Sequence, residues 1–193
     1  AAHAVLGALT TPLLRKMGAR VFFVLALAPL TAAIWLTAQA PRIIGGGVYV
    51  ESYSWIPSLG VDLTLRMGVV QWVLAMIVSW IGFLVLIYSR WYFGGLTSGR
   101  SAAILTLFAG TMLGLVTADN LVVMFVFWEL TTVFSYLLIG HDPTRRANRG
   151  AAHTALVVTT TGGLAMLVGI VTTGSLTGTL SLAEIVADPP TGT

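Results

Sequence analysis

Leu121-Val-Val-Met-Phe-Val-Phe-Trp-Glu-Leu-Thr-Thr-Val-Phe-Ser-Tyr-Leu-Leu-Ile139 contains one charged side chain, Glu129, near its middle. As an α-helix this stretch would be roughly 28 Å long, close to the ~30 Å thickness of a bilayer's hydrocarbon core. Asp119-Asn120 stands before it and Gly140-His-Asp-Pro143 after it, residues suited to capping and ending a helix. Read alone, it is a membrane-crossing helix carrying a buried acid.

Four more stretches outside this one are long and apolar enough to span: about 19–40, 69–88, 101–118 and 151–173. A shorter run, 1–14, precedes Arg15 and Lys16 and is read as an incomplete first helix. A signal peptide would carry its positive charge before such a run, not after it. The expected fold is therefore all-α, a polytopic transmembrane bundle of about six helices, the first truncated. Residues 1–193 form a single membrane domain, read as the N-terminal part of a longer subunit. Bulk composition agrees: 56% of the 193 residues are hydrophobic and 9% are charged, against roughly 25% charged in soluble domains. With no Cys, disulfides, thiolate catalysis and Cys metal sites are excluded. The sequence pI of about 9.7 points to membrane topology rather than nucleic acid, because the basic residues sit in short joins between apolar runs.

Those basic residues test the helix count. Arg15, Lys16, Arg20, Arg90, Arg100, Arg145, Arg146 and Arg149, eight of the ten, fall in alternate joins. The other set of joins and the tail hold Arg42 and Arg66 with Glu51, Asp62, Asp119, Glu184 and Asp188. Positive charge stays on the cytoplasmic side, so the basic loops are expected in the cytoplasm, with the chain in the cell's inner (plasma) membrane. In the longest join, Val48–Ser54 and Gly60–Arg66 alternate with period two around Pro57-Ser58-Leu59-Gly60. An external β-hairpin is expected there, an irregular loop being the alternative. Leu180–Val186 reads as a short amphipathic helix at the interface. Tyr88, Trp91 and Tyr92 fit an interfacial belt, as does Trp72 at the other end of its segment, whereas Trp80 lies mid-span and is expected to pack against a helix. Gly110-x-x-x-Gly114 permits close helix approach.

Glu129 carries the chemistry. Acidic or basic groups at mid-helix cost about 2.5 to 3.5 kcal/mol on insertion scales, and such residues commonly mark ion or proton pathways. The competing reading is a Glu that only hydrogen-bonds a neighbouring helix. Thr132 and Tyr136 lie three and seven residues on, sharing its face. In the next segment Thr159-Thr-Thr-Gly-Gly163 falls near the midpoint, where hydroxyls and glycines can loosen a helix and hold water. His153 shares a face with Thr160 and is a natural proton shuttle; a place at the headgroup boundary is the alternative. His141 is read as solvated or at a proton entry. His3 says little from sequence. Asp119 is read as an end cap with Asn120. No P-loop, G-x-S-x-G, H-E-x-x-H or paired metal ligands appear, so neither a cofactor nor a metal is expected, and a transporter subunit is favoured over an enzyme.

Phe125-Val-Phe-Trp-Glu-Leu-Thr-Thr-Val-Phe-Ser-Tyr-Leu-Leu-Ile-Gly140 resembles the fifth-helix signature of antiporter-like membrane subunits. These include the large A-type component of Mrp-type multisubunit Na+/H+ antiporters and the proton-pumping membrane-arm subunits of respiratory complex I. Trp55–Arg66 is similar to the family's outer hairpin and Leu156–Ala165 to its sixth helix. The resemblance implies that Glu129 is the family's glutamate in the ion pathway. It further implies Na+/H+ antiport within a multisubunit complex, with H+, Na+, the bilayer and other subunits as partners. Thr131-Thr132 and Thr160, which stands where complex I proteins often carry Arg, lean to the Mrp side. Proton translocation in NADH-quinone oxidoreductase is the alternative, and a structural subunit with a vestigial site is a third. The last is favoured by one departure, Gly68 standing where the family usually has Asp. The family's partner lysine belongs to a seventh helix, which these residues do not include.

Overall fold

The structure is a computed structural model describing residues 2–59, 61–92, 98–142 and 144–189. These described residues form eight α-helices and one two-stranded sheet, in the order α1 Ala2–Ala8, α2 Thr10–Met17, α3 Val21–Ile44, β1 Tyr49–Ile56, β2 Val61–Met67, α4 Val69–Tyr92, α5 Ser98–Thr117, α6 Leu121–Ile139, α7 Arg146–Thr177 and α8 Leu182–Ala187. Among the described residues, five helical stretches are long and apolar enough to cross a membrane: Thr10–Ile44, in which α2 passes through a 3-10 turn into α3, and α4, α5, α6 and α7. Among the described residues this all-α bundle with a small hairpin is the architecture expected.

The incomplete first helix is in fact two short ones. Pro12 has no N–H to offer the carbonyl of Ala8, so the ladder breaks where α1 meets α2. Gly18, at φ +58°, then separates α2 from α3. Pro143, expected to end the join after Ile139, and the turn residue Gly60 lie outside the described residues.

Helix α4 packs between α3 and α5, α6 lies on α5, and α7 packs mainly on α6. Near the basic joins the core is Val21, Phe22, Leu25 and Ala26 of α3 with Leu86 and Ala102. Toward the other end it is Leu36, Ile43, Met67 and Ala75. The indole N–H of Trp72 donates to the carbonyl of Leu36 across that seam, at 2.8 Å. Gly110 and Gly114 do admit close neighbours: a Cβ on Gly110 would stand 2.5 Å from that of His3, and one on Gly114 would collide with the Phe127 ring. Tyr88, Trp91 and Tyr92 are each more than 60% exposed at the basic end, as an interfacial belt requires. Trp80 departs from expectation. Its ring meets Phe83 of its own helix edge-on and stays 40% exposed, open to lipid or further helices.

The 48–66 join is a true antiparallel hairpin with Ser52 opposite Thr64 and an irregularity between Ser54 and Ile56. It lies over the α5–α6 joint, where the amide of Asp119 donates to the carbonyl of Thr64 at 2.9 Å. Capping here is divided rather than shared. Asn120 caps α6, accepting from the amides of Val122 and Val123. Asp119 instead reaches the tail, accepting from Ser181 Oγ at 2.8 Å and the Ala183 amide at 3.1 Å, while its carbonyl accepts from the Leu182 amide. Asp119 is 8% exposed, so Asp119→Ala should leave those donors unmatched at a cost of about 1–3 kcal/mol. Hydrogen exchange should then speed up in α8 with α4 unchanged; equal protection in both would show the clasp to be dispensable.

Candidate functional site

Glu129 sits on the face of α6 that meets α7. As a residue it is half-buried rather than deeply buried; among the described acids, Asp119 is the one enclosed as a whole. Its Oε1, however, is fully enclosed and has no hydrogen-bond partner among the described residues. What encloses it is Gly163 of α7. A Cβ on Gly163 would fall 3.2 Å from Cδ of Glu129 and would collide with Oε1. The carboxylate therefore occupies the space where a side chain of α7 would otherwise be. An unmatched buried oxygen costs roughly 1–3 kcal/mol, more when charged, so the arrangement is unfavourable as a packing device. It suits a group that exchanges a proton or meets a cation.

Thr132, one turn on, is 7% exposed. Tyr136, a further turn along, is 36% exposed and opens into a cavity of about 590 Å3 that His153 also lines. The structure thus brings Tyr136 and His153 together and sets Glu129 against α7 one turn beyond Thr160, but the walls of that cavity do not include Glu129. The Thr159–Gly163 stretch does not loosen the chain. Helix α7 runs unbroken from Arg146 to Thr177, and the hydroxyls of Thr159 and Thr161 donate to the carbonyls of Ala155 and Val157 of their own helix. Gly162 faces open space, so Gly163 alone of the pair has a fitted neighbour.

Three features escape a reading of the sequence. Gly163 reads there as a flexible spot, not as the seat of the carboxylate; the available signal is a residue without a side chain at the depth of an unpaired acid. His3 proves 8% exposed, with Nε2 unpartnered among the described residues, in the wall of an apolar cavity of about 540 Å3 between α1, α3, α5, α6 and the hairpin. Arg100, Arg146 and Arg149, which the sequence offers only as topology markers, share the cavity of Tyr136 and His153. Gly68 has a local account: it precedes α4, and its amide donates to Gln71 Oε1 at 3.2 Å, half of a capping box. No group of three or more candidate metal ligands occurs among the described residues.

Known proteins resemble this chain in sequence and fold. Residues 118–189 match the family described as NADH:quinone oxidoreductase/Mrp antiporter, transmembrane. The chain is 39% identical over 148 residues to the A/B component of a probable K+/H+ antiporter of Rhizobium meliloti, covering 76% of this chain and 15% of that one. It is 35% identical over 184 residues to the A component of the Na+/H+ antiporter of Alkalihalophilus pseudofirmus, covering 93% of this chain and 23% of the relative. The structure of the Mrp complex from a Dietzia species contains a chain that superposes with a TM-score of 0.86 at 36% identity, over 97% of this chain and 20% of that one. The chain thus spans about a fifth of the length of these relatives. With the bundle, the hairpin and the helix around Glu129 all matched, the chain belongs to the antiporter-like membrane subunit family that Mrp antiporters share with respiratory complex I.

Proposed function

We propose that this chain is part of a monovalent cation/proton antiporter subunit working within a multisubunit membrane assembly, with Glu129 in its ion pathway. The enclosed, unpartnered Oε1 between α6 and α7 carries the reading. An ionisable carboxyl inside a membrane bundle commonly marks an ion or proton pathway. Thr132 continues the polar face, Tyr136 and His153 offer a route for protons from the basic end, and Thr160 adds a hydroxyl on the side of α7 toward His153. The names of the relatives divide between Na+ and K+; sodium is the cation we propose, and the Thr131-Thr132 and Thr160 pattern supports antiport over the complex I-type reading. Proton pumping beside redox subunits is the second reading, favoured only by the breadth of the family.

The test uses vesicles holding the whole complex, preloaded with a pH gradient. Added NaCl should collapse the gradient within seconds, with KCl weaker. No response to either salt, with proton uptake driven instead by quinone reduction, would replace antiport by the second reading. We propose that the basic joins face the cytoplasm, on their positive charge. Since the chain has no Cys, Ser54→Cys and Arg145→Cys in an otherwise cysteine-free protein read the orientation directly. A membrane-impermeant maleimide should label the first in intact spheroplasts and the second only after permeabilisation; the opposite order would invert the topology.

A further inference from the structure

We infer that the cavity between the ends of α5, α6 and α7 binds the phosphate headgroup of an anionic phospholipid. Its walls carry Arg100 from the first turn of α5, Arg146 and Arg149 from the first turn of α7, and His153 and Tyr136. Among the described residues, no carboxylate lines it. The nearest acid in sequence, Asp142, is already engaged: it accepts from the hydroxyl and amide of Thr144 and pairs with Arg145 at 3.2 Å. Those contacts, the Thr144 hydroxyl foremost, hold its carboxyl below the usual range and keep it ionised in place. The start of α7, a 32-residue helix, adds to the field. Arg145 at its N-cap makes no side-chain capping bond, and no acid occupies its first turn, so its leading amides also favour an anion. Guanidiniums offer two parallel N–H donors to phosphate oxygens.

A lipid, rather than free phosphate, is indicated by what adjoins the cavity. Leu137 lies in its wall, and the next residue, Leu138, lies in the wall of an almost wholly apolar groove of about 340 Å3 between α4 and α5. That groove follows α5 from Leu105 to Met112, away from the arginines and toward mid-membrane. A phosphate held by Arg100 and α7 would leave an acyl chain beside this groove. Basic pockets between helices at the cytoplasmic face are recognised lipid sites. The assignment depends on the geometry of the cavity and not on the antiport reading; a failed transport assay leaves it standing.

The test is native mass spectrometry of the purified whole complex, delipidated and titrated with dioleoylphosphatidylglycerol, dioleoylphosphatidylcholine or inorganic phosphate. The intact complex should retain phosphatidylglycerol in preference to phosphatidylcholine. The combined variant Arg100→Gln, Arg146→Gln, Arg149→Gln should weaken that binding about fivefold per residue, roughly a hundredfold together. Arg100→Gln alone, a single exposed change, should give the fivefold step even if the triple variant assembles poorly. A control, Arg15→Gln with Lys16→Gln in another basic join, should leave it unchanged. Equal retention by the intact complex and the variants, or equal loss in the control, would overturn the site. Inorganic phosphate displacing the lipid at micromolar concentration would overturn the lipid assignment in favour of a free anion.

Discussion

Glu129→Gln is expected to reduce cation-driven proton movement in complex-bearing vesicles to the background of vesicles without the complex. The whole protein should still insert and assemble. Gln has nearly the shape of Glu, so the space against Gly163 stays filled. It also removes an ionisable group that is expensive in hydrocarbon, so folding should be unaffected or slightly favoured. What is lost is the ability to release a proton. Glu129→Asp tests reach: it keeps the charge but withdraws the carboxylate by one methylene from its seat on α7. Partial activity in Asp and none in Gln would mean that ionisation matters first and position second. Wild-type rates in the Gln variant, with assembly intact, would leave Glu129 a packing residue and remove the antiport reading of this site.

How much of this is legible in the sequence depends on how local each feature is. A membrane segment must be apolar over some twenty consecutive residues because lipid offers its backbone no hydrogen-bond partner. That constraint lies along the chain, and α4, α5, α6 and α7 begin and end close to the boundaries expected. The hairpin is equally legible, since period-two alternation is local too. The break between α1 and α2 is not, because one proline within an apolar run changes a carbonyl's partner without changing hydropathy. The clasp from Asp119 to Ser181 joins residues 62 apart, and no periodicity links them. The same applies to Glu129 and Gly163: each stands out on its own helix, but that one rests on the other depends on how α6 meets α7. The basic cavity shows a further limit. Its arginines are accounted for by topology, and one adequate explanation hides their convergence.

Gly163→Ala is the sharper probe of the pair, because it should separate activity from stability. The added methyl would meet Oε1 and lie 3.2 Å from Cδ of Glu129. The atom in the way is the end of a flexible side chain, so the carboxylate swings aside and the helices stay packed. Alanine within a helix is favoured over glycine by about 0.5–1 kcal/mol, which offsets the small rearrangement. Thermal stability of the whole complex should therefore hold or rise slightly. Transport should not: proton transfer requires heavy atoms within roughly 2.6–3.2 Å, and a displacement of about 1 Å is enough to lose tenfold or more of the rate. Gly162→Ala is the matched control, one residue away on the same helix, with open space where its methyl would go. It should bring the same gain in helix stability and leave transport untouched. If the two variants transport alike, the seat on α7 is incidental and Glu129 works from some other orientation. If only Gly163→Ala fails, the missing side chain on α7 is part of the ion pathway: it gives the carboxylate a fixed place between two helices without giving it a permanent partner.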